Sequence, residues 1–315
     1  MTNNTANSLE NLKGYPFIFI VGAPRSGTTL LSSMLNSHSE IAIPYESNFM
    51  VHCYNKYGLT PNLTNDSDLE NLIDEILSGY FVSKWEPPVR KEDLDLDKCR
   101  DLPGLINEIY RCYAKKKGKP IYGDKTPGYT PDIHVLNRIF PNAKYIHIIR
   151  DGRDVALSLL DRSWGPSNFP IAMQFWKEMA TLCKVQLAML PPDRYLELRF
   201  EDLVREPEEN LRKICSLLKI DFQNEMVSSY SNEWDSLPDA VKRIHANLQQ
   251  GPSENQCYKW KSVLDGPDQA IAYEISGDLL NQHGYDVSVK HHKLKLLKKL
   301  YYRVQESVAW RLKKK

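Results

Sequence analysis

Gly22 and Gly27 frame a short loop, Ala23-Pro24-Arg25-Ser26, that runs directly into Thr28 and Thr29. Such a loop aims several backbone N–H groups, and the positive end of the helix that follows it, at one point in space. An anion is the expected occupant. The Gly-x-x-x-x-Gly spacing is that of a nucleoside-triphosphate loop, but position 28 is Thr where that pattern needs the lysine that neutralises the β- and γ-phosphates. The cation lies instead inside the loop, as Arg25. Phosphate holding is therefore retained while the device for moving a γ-phosphoryl group is not. The competing reading is an ordinary strand-to-helix turn with a capping hydroxyl.

A second cluster has similar chemistry. Arg150-Asp151-Gly152-Arg153-Asp154 ends an apolar run, and Ser158 and Arg162 follow at i and i+4 on one helix face. Arg150, Ser158 and Arg162 are so spaced that they converge on a single anion, arginine being suited to bidentate phosphate recognition. The alternative is that the Arg-Asp-Gly-Arg-Asp turn is an internal salt-bridge knot, and in either case Asp151 or Asp154 is expected to orient the arginines. Glu46 follows a short strand, where a carboxylate near an anion loop repels the ligand unless it has work to do; pairing with Arg25 or plain surface exposure are its bland roles. Lys125, in Gly-Asp-Lys-Thr-Pro, and Lys259, between Tyr258 and Trp260, are further candidates. A solvated charge is the alternative for the first, a surface cation–π pair for the second. His38 and His52 are rival bases, with core or capping the expected role of His38.

Positioning these residues takes a regular frame. Residues 17–21 form an apolar, β-branched and aromatic strand, and Thr28 opens a helix that runs through Leu35. A short strand at 40–44 stops at Pro44, another at 121–125 ends beside Lys125, and 143–150 is apolar enough to be buried on both faces of a parallel sheet. A fifth strand spans 194–200. Between them, 57–120 reads as a helical insertion with helical spacing at 69–77 and 105–113. Helices are also expected at 131–140, 175–190 (Phe175, Met179, Leu182, Val185 and Met189 facing the core), 208–218 and 270–280.

The composition adds limits. With 315 residues, 42% of them hydrophobic, the chain builds a sizeable core, and its net charge of +1 implies no general attraction to nucleic acid. The last 26 residues, 290–315, hold ten Lys or Arg against Glu306 alone; this +9 within a total of +1 leaves −8 for the rest. Their apolar residues keep helical spacing, as in a basic amphipathic helix on an anionic membrane surface or a solvated helix tied down by one stripe. Six scattered cysteines, no metal-ligand spacing, no leader-like segment at 1–12 and no apolar run near 20 residues make a cytoplasmic, thiol-reduced protein the expectation.

Pro24-Arg25-Ser26-Gly27-Thr28-Thr29-Leu30 and Ile149-Arg150-Asp151 through Ser158 resemble the two anion motifs of the PAPS-dependent sulfotransferase superfamily, closest in pattern to its tyrosylprotein and bacterial branch. The resemblance runs from about 16 to 265. It implies an α/β, P-loop-like three-layer fold with a central, mainly parallel sheet, in a catalytic domain at 14–289 that takes in the helical insertion at about 57–120 and is followed by the basic amphipathic helix read at 290–315.

It also implies roles. The donor would be 3′-phosphoadenosine 5′-phosphosulfate (PAPS), leaving 3′,5′-diphosphoadenosine, with Arg25, Ser26, Gly27, Thr28 and Thr29 on the 5′-phosphosulfate and Arg150, Ser158, Arg162 and Lys259 at the 3′-phosphate. Glu46 matches the general base and Lys125 the lysine that steadies the transferring sulfuryl group; no metal is called for. Asn48 and Phe200 depart from the tyrosylprotein pattern, which has arginine and tyrosine there, so a protein tyrosine is not the expected acceptor. Two other classes stay open: an ATP-dependent phosphotransferase, and a catalytically silent nucleotide-binding adaptor.

Overall fold

The computed structural model describes residues 14–61, 63, 65–230, 254–288, 302, 304–307 and 309. The expectations for 1–12 and for most of 290–315 lie outside the described residues; those described at 302–309 are helical.

In chain order the elements are β1 Ile18–Val21, α1 Thr28–Asn36, β2 Ile41–Ala42, α2 Met50–Tyr57, α3 Asp66–Ser78, α4 Leu102–Lys116, β3 Ile121–Lys125, α5 Ile133–Ile139, β4 Lys144–Ile149, α6 Gly152–Leu160 and α7 Phe169–Leu187. They continue with β5 Tyr195–Arg199, α8 Phe200–Arg205, α9 Pro207–Leu218, α10 Glu225–Ser228, α11 Trp260–Val263 and α12 Gly266–Gln282. The strands form one sheet in the order β2-β3-β1-β4-β5, every pairing parallel. Parallel pairing puts the carboxyl ends of β3, β1 and β4 side by side, and these carry Lys125, the Gly22 loop and Arg150.

Helices cover both faces, and β1 explains why. Phe17, Phe19 and Val21 point into a core shared with α2 to α5, whereas Ile18 and Ile20 point the other way, onto α1 and α9. Phe17 stacks on Phe140 at 4.2 Å, tying the central strand to the end of α5, and Phe19 stacks on Tyr145 of the neighbouring β4 at 5.4 Å. A third core joins α6, α7, α11 and α12 around Trp176.

Two expectations need correction. The long helix begins at Phe169, where Asn168 caps the Ile171 N–H and Pro170 occupies the first turn, so it starts six residues before 175. Its buried face runs through Met173, Trp176, Ala180, Cys183 and Leu187; Leu182, Val185 and Met189 are exposed. Of the expected core positions Met179 is buried and Phe175 packs against the same core, so the expected stripe holds in the first half of the helix and leaves the core beyond it. The expected helix at 131–140 is present as α5, entered through a 3₁₀ turn at Pro127–Asp132.

The α6–α7 contact depends on the absence of a side chain. A Cβ on Gly152 would lie 2.4 Å from the Trp176 ring, which is fully buried. Gly152→Ala is expected to destabilise the protein by about 1–3 kcal/mol, while Gly266→Ala, with no atom within 4 Å of the added Cβ, should stay within about 0.5 kcal/mol of wild type. Equal urea midpoints for the two variants would contradict this packing.

Candidate active site

The glycine loop is fixed from both sides. Thr130 Oγ1 accepts the Gly22 N–H and donates to the Gly22 carbonyl, both at 2.9 Å, and the Ser26 N–H closes a turn on the Ala23 carbonyl at 3.1 Å. Arg25 sits at φ +73°, a left-handed conformation disfavoured for a residue with a Cβ and a mark of stored strain. Gly27, at φ +97°, precedes α1, and no side chain caps that helix. A Cβ there would fall 2.3 Å from the Phe200 ring.

Arg25 and Arg150 meet. Arg25 Nε donates to Ser158 Oγ at 3.0 Å, and Arg150 Nη1 donates to the Arg25 carbonyl at 3.2 Å. The Arg150 guanidinium lies over the Phe200 ring, 4.7 Å from its centroid, gives Nη2 to the Gln256 carbonyl at 2.6 Å and stands 3.6 Å from Asp154 Oδ2. Burial, helped by the nearby Arg162 and Arg150 charges, lowers the Arg25 pKa to about 10. An anion among these groups relieves the crowding. Two buried atoms, Ser26 Oγ and Arg150 Nε, have no hydrogen-bond partner among the described residues, as expected of groups kept for a ligand.

The groups face one cavity of about 350 Å³. Arg25, Gly27, Thr28, Thr29, Arg150, Ser158, Arg162 and Lys259 all line it. Ser26 is fully buried in the loop. The late chain forms one wall: Asp154 Oδ1 accepts the Trp260 N–H at 2.9 Å, while the Trp260 ring covers the Arg153 guanidinium at 3.5 Å. Arg153 is itself bound twice by Asp151. The Arg-Asp-Gly-Arg-Asp segment is thus both things at once, a salt-bridge knot through Arg153 and an open cation through Arg150.

Glu46 and Lys125 make a separate group at the inner end. Lys125 is buried, not solvated: its Nζ is 3.0 Å from Glu46 Oε1, 3.4 Å from Thr29 Oγ1 and 5.1 Å from the Tyr45 ring centre. Glu46 pairs with Lys125, and its side chain keeps 20% exposure. Thr29 touches Lys125 and lines the cavity, joining the two groups. The rival bases are engaged elsewhere. His38 is buried between the Asp221 carbonyl and the Glu40 N–H, and His52 lies on the α2 surface, 3.6 Å from Glu75.

Several contributors carried no local signal. Thr130 and Gln256 act through contacts across 108 and 106 residues. Behind Lys125, the buried Asp124 accepts the Tyr110 hydroxyl at 2.6 Å, and Ser47 meets Thr126 and Tyr129. Among the described residues no helix is long and apolar enough to cross a membrane, and no group of three His, Cys, Asp or Glu is placed to hold a metal ion.

Comparison with known proteins supplies the context. Residues 16–224 match the model described as "Sulfotransferase family". The chain is 25% identical to the protein-tyrosine sulfotransferase of Drosophila melanogaster, over 86% of this chain and 52% of that protein, so it spans about half of that relative. It is also 25% identical to an omega-hydroxy-beta-dihydromenaquinone-9 sulfotransferase of Mycobacterium tuberculosis, covering 88% of this chain and 77% of that one. Among solved structures, the sulfotransferase domain of the Synechococcus PCC 7002 olefin synthase superposes with a TM-score of 0.58 at 25% identity, covering 86% and 95% of the two chains. The sulfotransferase domain from the curacin biosynthetic pathway reaches 0.60 at 23%, covering 87% and 99%.

Burial pushes the Asp124 carboxyl up to about 6, against the hydrogen bond from Tyr110. Because its folded value lies above its unfolded one, this group adds stability as pH falls through about 6, and the gain is absent above that range. Asp124→Asn should therefore lose about 2 kcal/mol more, relative to wild type, at pH 4.5 than at pH 8. Urea unfolding at the two pH values checks it, and an equal gap at both contradicts the assignment.

Proposed function

The chain belongs to the Sulfotransferase family, and from that premise we propose that it transfers a sulfuryl group from 3′-phosphoadenosine 5′-phosphosulfate to an acceptor hydroxyl or amine. The observation that carries the reading is the single cavity lined by both Arg25 and Arg150, with the Glu46–Lys125 pair joined to it through Thr29. The donor fits the residues present: two clusters of fixed cations for two phosphate ends, a bare helix N-terminus, and buried polar atoms still to be satisfied.

The donor supplies an activated sulfuryl group, and the chain supplies alignment and charge. Backbone N–H groups from Ser26 to Thr29, with Arg25, hold the 5′-phosphosulfate; Arg150, Ser158, Arg162 and Lys259 select for a 3′-phosphate. Glu46 takes the proton of the attacking hydroxyl as the new oxygen–sulfur bond forms and the bond to the 5′-phosphate breaks. Lys125 offsets negative charge on the sulfuryl oxygens. The working unit is 14–289 with the insertion at 57–120 shaping the acceptor side, and the basic residues of 290–315 contact an anionic membrane surface. A reducing, cytoplasmic setting suits six free cysteines, five of them buried.

Calorimetry should show tight binding of 3′,5′-diphosphoadenosine and weak binding of ATP with magnesium; the reverse order would make the protein an ATP-dependent enzyme. Transfer of label from sulfur-35 donor separates an enzyme from a silent adaptor. Glu46→Gln should lower kcat by about 10²–10⁴ while 3′,5′-diphosphoadenosine still binds, and a wild-type rate in that variant would remove Glu46 as the base. Arg150→Ala should weaken 3′,5′-diphosphoadenosine by about 10–100-fold and adenosine 5′-phosphate far less. Equal losses for both would take the 3′-phosphate away from Arg150.

A further inference from the structure

An aromatic ladder leads outward from the Glu46–Lys125 pair. Its first rung is the Tyr45 ring beneath Lys125 Nζ. The second is Phe81, 6.3 Å from Tyr45, and the third is Tyr80, edge-on to Phe81 at 5.2 Å and 67% exposed. Phe81 and Tyr80 belong to the turn between α3 and the 3₁₀ segment Val82–Lys84, within the helical insertion. The next residues brace that turn: the buried Trp85 donates Nε1–H to the Glu46 carbonyl at 3.3 Å, so the wall and the carboxylate are held in one register.

A solvent-exposed aromatic continuous with a reacting pair is costly to leave bare and useful when covered. Among the described residues two lysines lie over these rings. Lys84 lies 5.7 Å over the Tyr80 ring at the outer end, Lys125 is engaged with Glu46, and residue 48 is the neutral Asn48. The guanidiniums of Arg25, Arg150 and Arg162 all line the donor cavity. An acidic peptide laid along this wall would lose hydration and gain Lys84 alone at its outer end in return.

We propose that the acceptor is an uncharged alcohol carrying an extended apolar body, its hydroxyl at Glu46 and its body laid along Tyr45, Phe81 and Tyr80. This rests on the sulfuryl-transfer reading above and names the acceptor class for that site. A small alcohol covers only the first rung; a longer one reaches Tyr80.

The test is the dependence of KM on acceptor length, with labelled donor and the series butan-1-ol to decan-1-ol. KM should fall about twofold per added methylene, roughly half of what full burial gives. Tyr80→Ala and Phe81→Ala should flatten that slope, raising KM for decan-1-ol far more than for butan-1-ol, with thermal melts checking that each variant is folded. A KM independent of length overturns the assignment, as does a change equal for short and long alcohols. If an acidic tyrosine peptide is the better acceptor, the acceptor class is wrong while transfer stands. If 3′,5′-diphosphoadenosine fails to bind in calorimetry, the transfer reading fails first and the acceptor assignment goes with it.

Discussion

Like charges held close together out of water are the constraint that shapes this molecule. Arg25, Arg150 and Arg162 crowd one cavity, and Arg25 loses some of its affinity for its proton, first through burial and then through the two neighbouring charges. Left to themselves such side chains would turn outward to solvent. They are kept in place by the Ser158 hydroxyl, by the Arg25 and Gln256 carbonyls, by Asp154 and by the Phe200 ring. The parallel sheet makes this possible, because it brings three strand ends together and leaves the loops beyond them to supply donors.

The sequence carried this part of the structure well because it is local. Gly22 to Thr29 and Arg150 to Ser158 each lie within one turn and one helix, so spacing alone brings their side chains to a common side; Arg162, expected on the same helix face as Ser158, lies past the end of α6 at Leu160 and reaches the cavity from the turn that follows. The pairing of Glu46 with Lys125 spans 79 residues, and reading either residue alone left a solvated charge or a bond to Arg25 as reasonable outcomes. Phe200 was visible only as a departure from a family pattern. Its physical role, a flat floor under Arg150 and a ring against Gly27, needs the β5–α8 junction to fold back onto the first loop.

The departure of the expected α7 stripe from the core after Met179 has a similar cause. Apolar residues occur all round its C-terminal half, so periodicity does not select a face there. What selects it is Trp176 settling against Gly152 and Cys183 entering the core above the sheet. Asn168 and Pro170, a strong start signal, lay upstream of the apolar residues that drew attention.

One feature of the late chain links opening of the cavity to its chemistry. The Gln256 carbonyl holds Arg150, and the Trp260 N–H holds Asp154, so floor and wall are fastened by the same few bonds. Lifting residues 254–263 off the cavity would break both bonds together, releasing Arg150 and Asp154 at the same moment. Access to the cavity and the placement of its arginine are thereby one property of the late chain and not two.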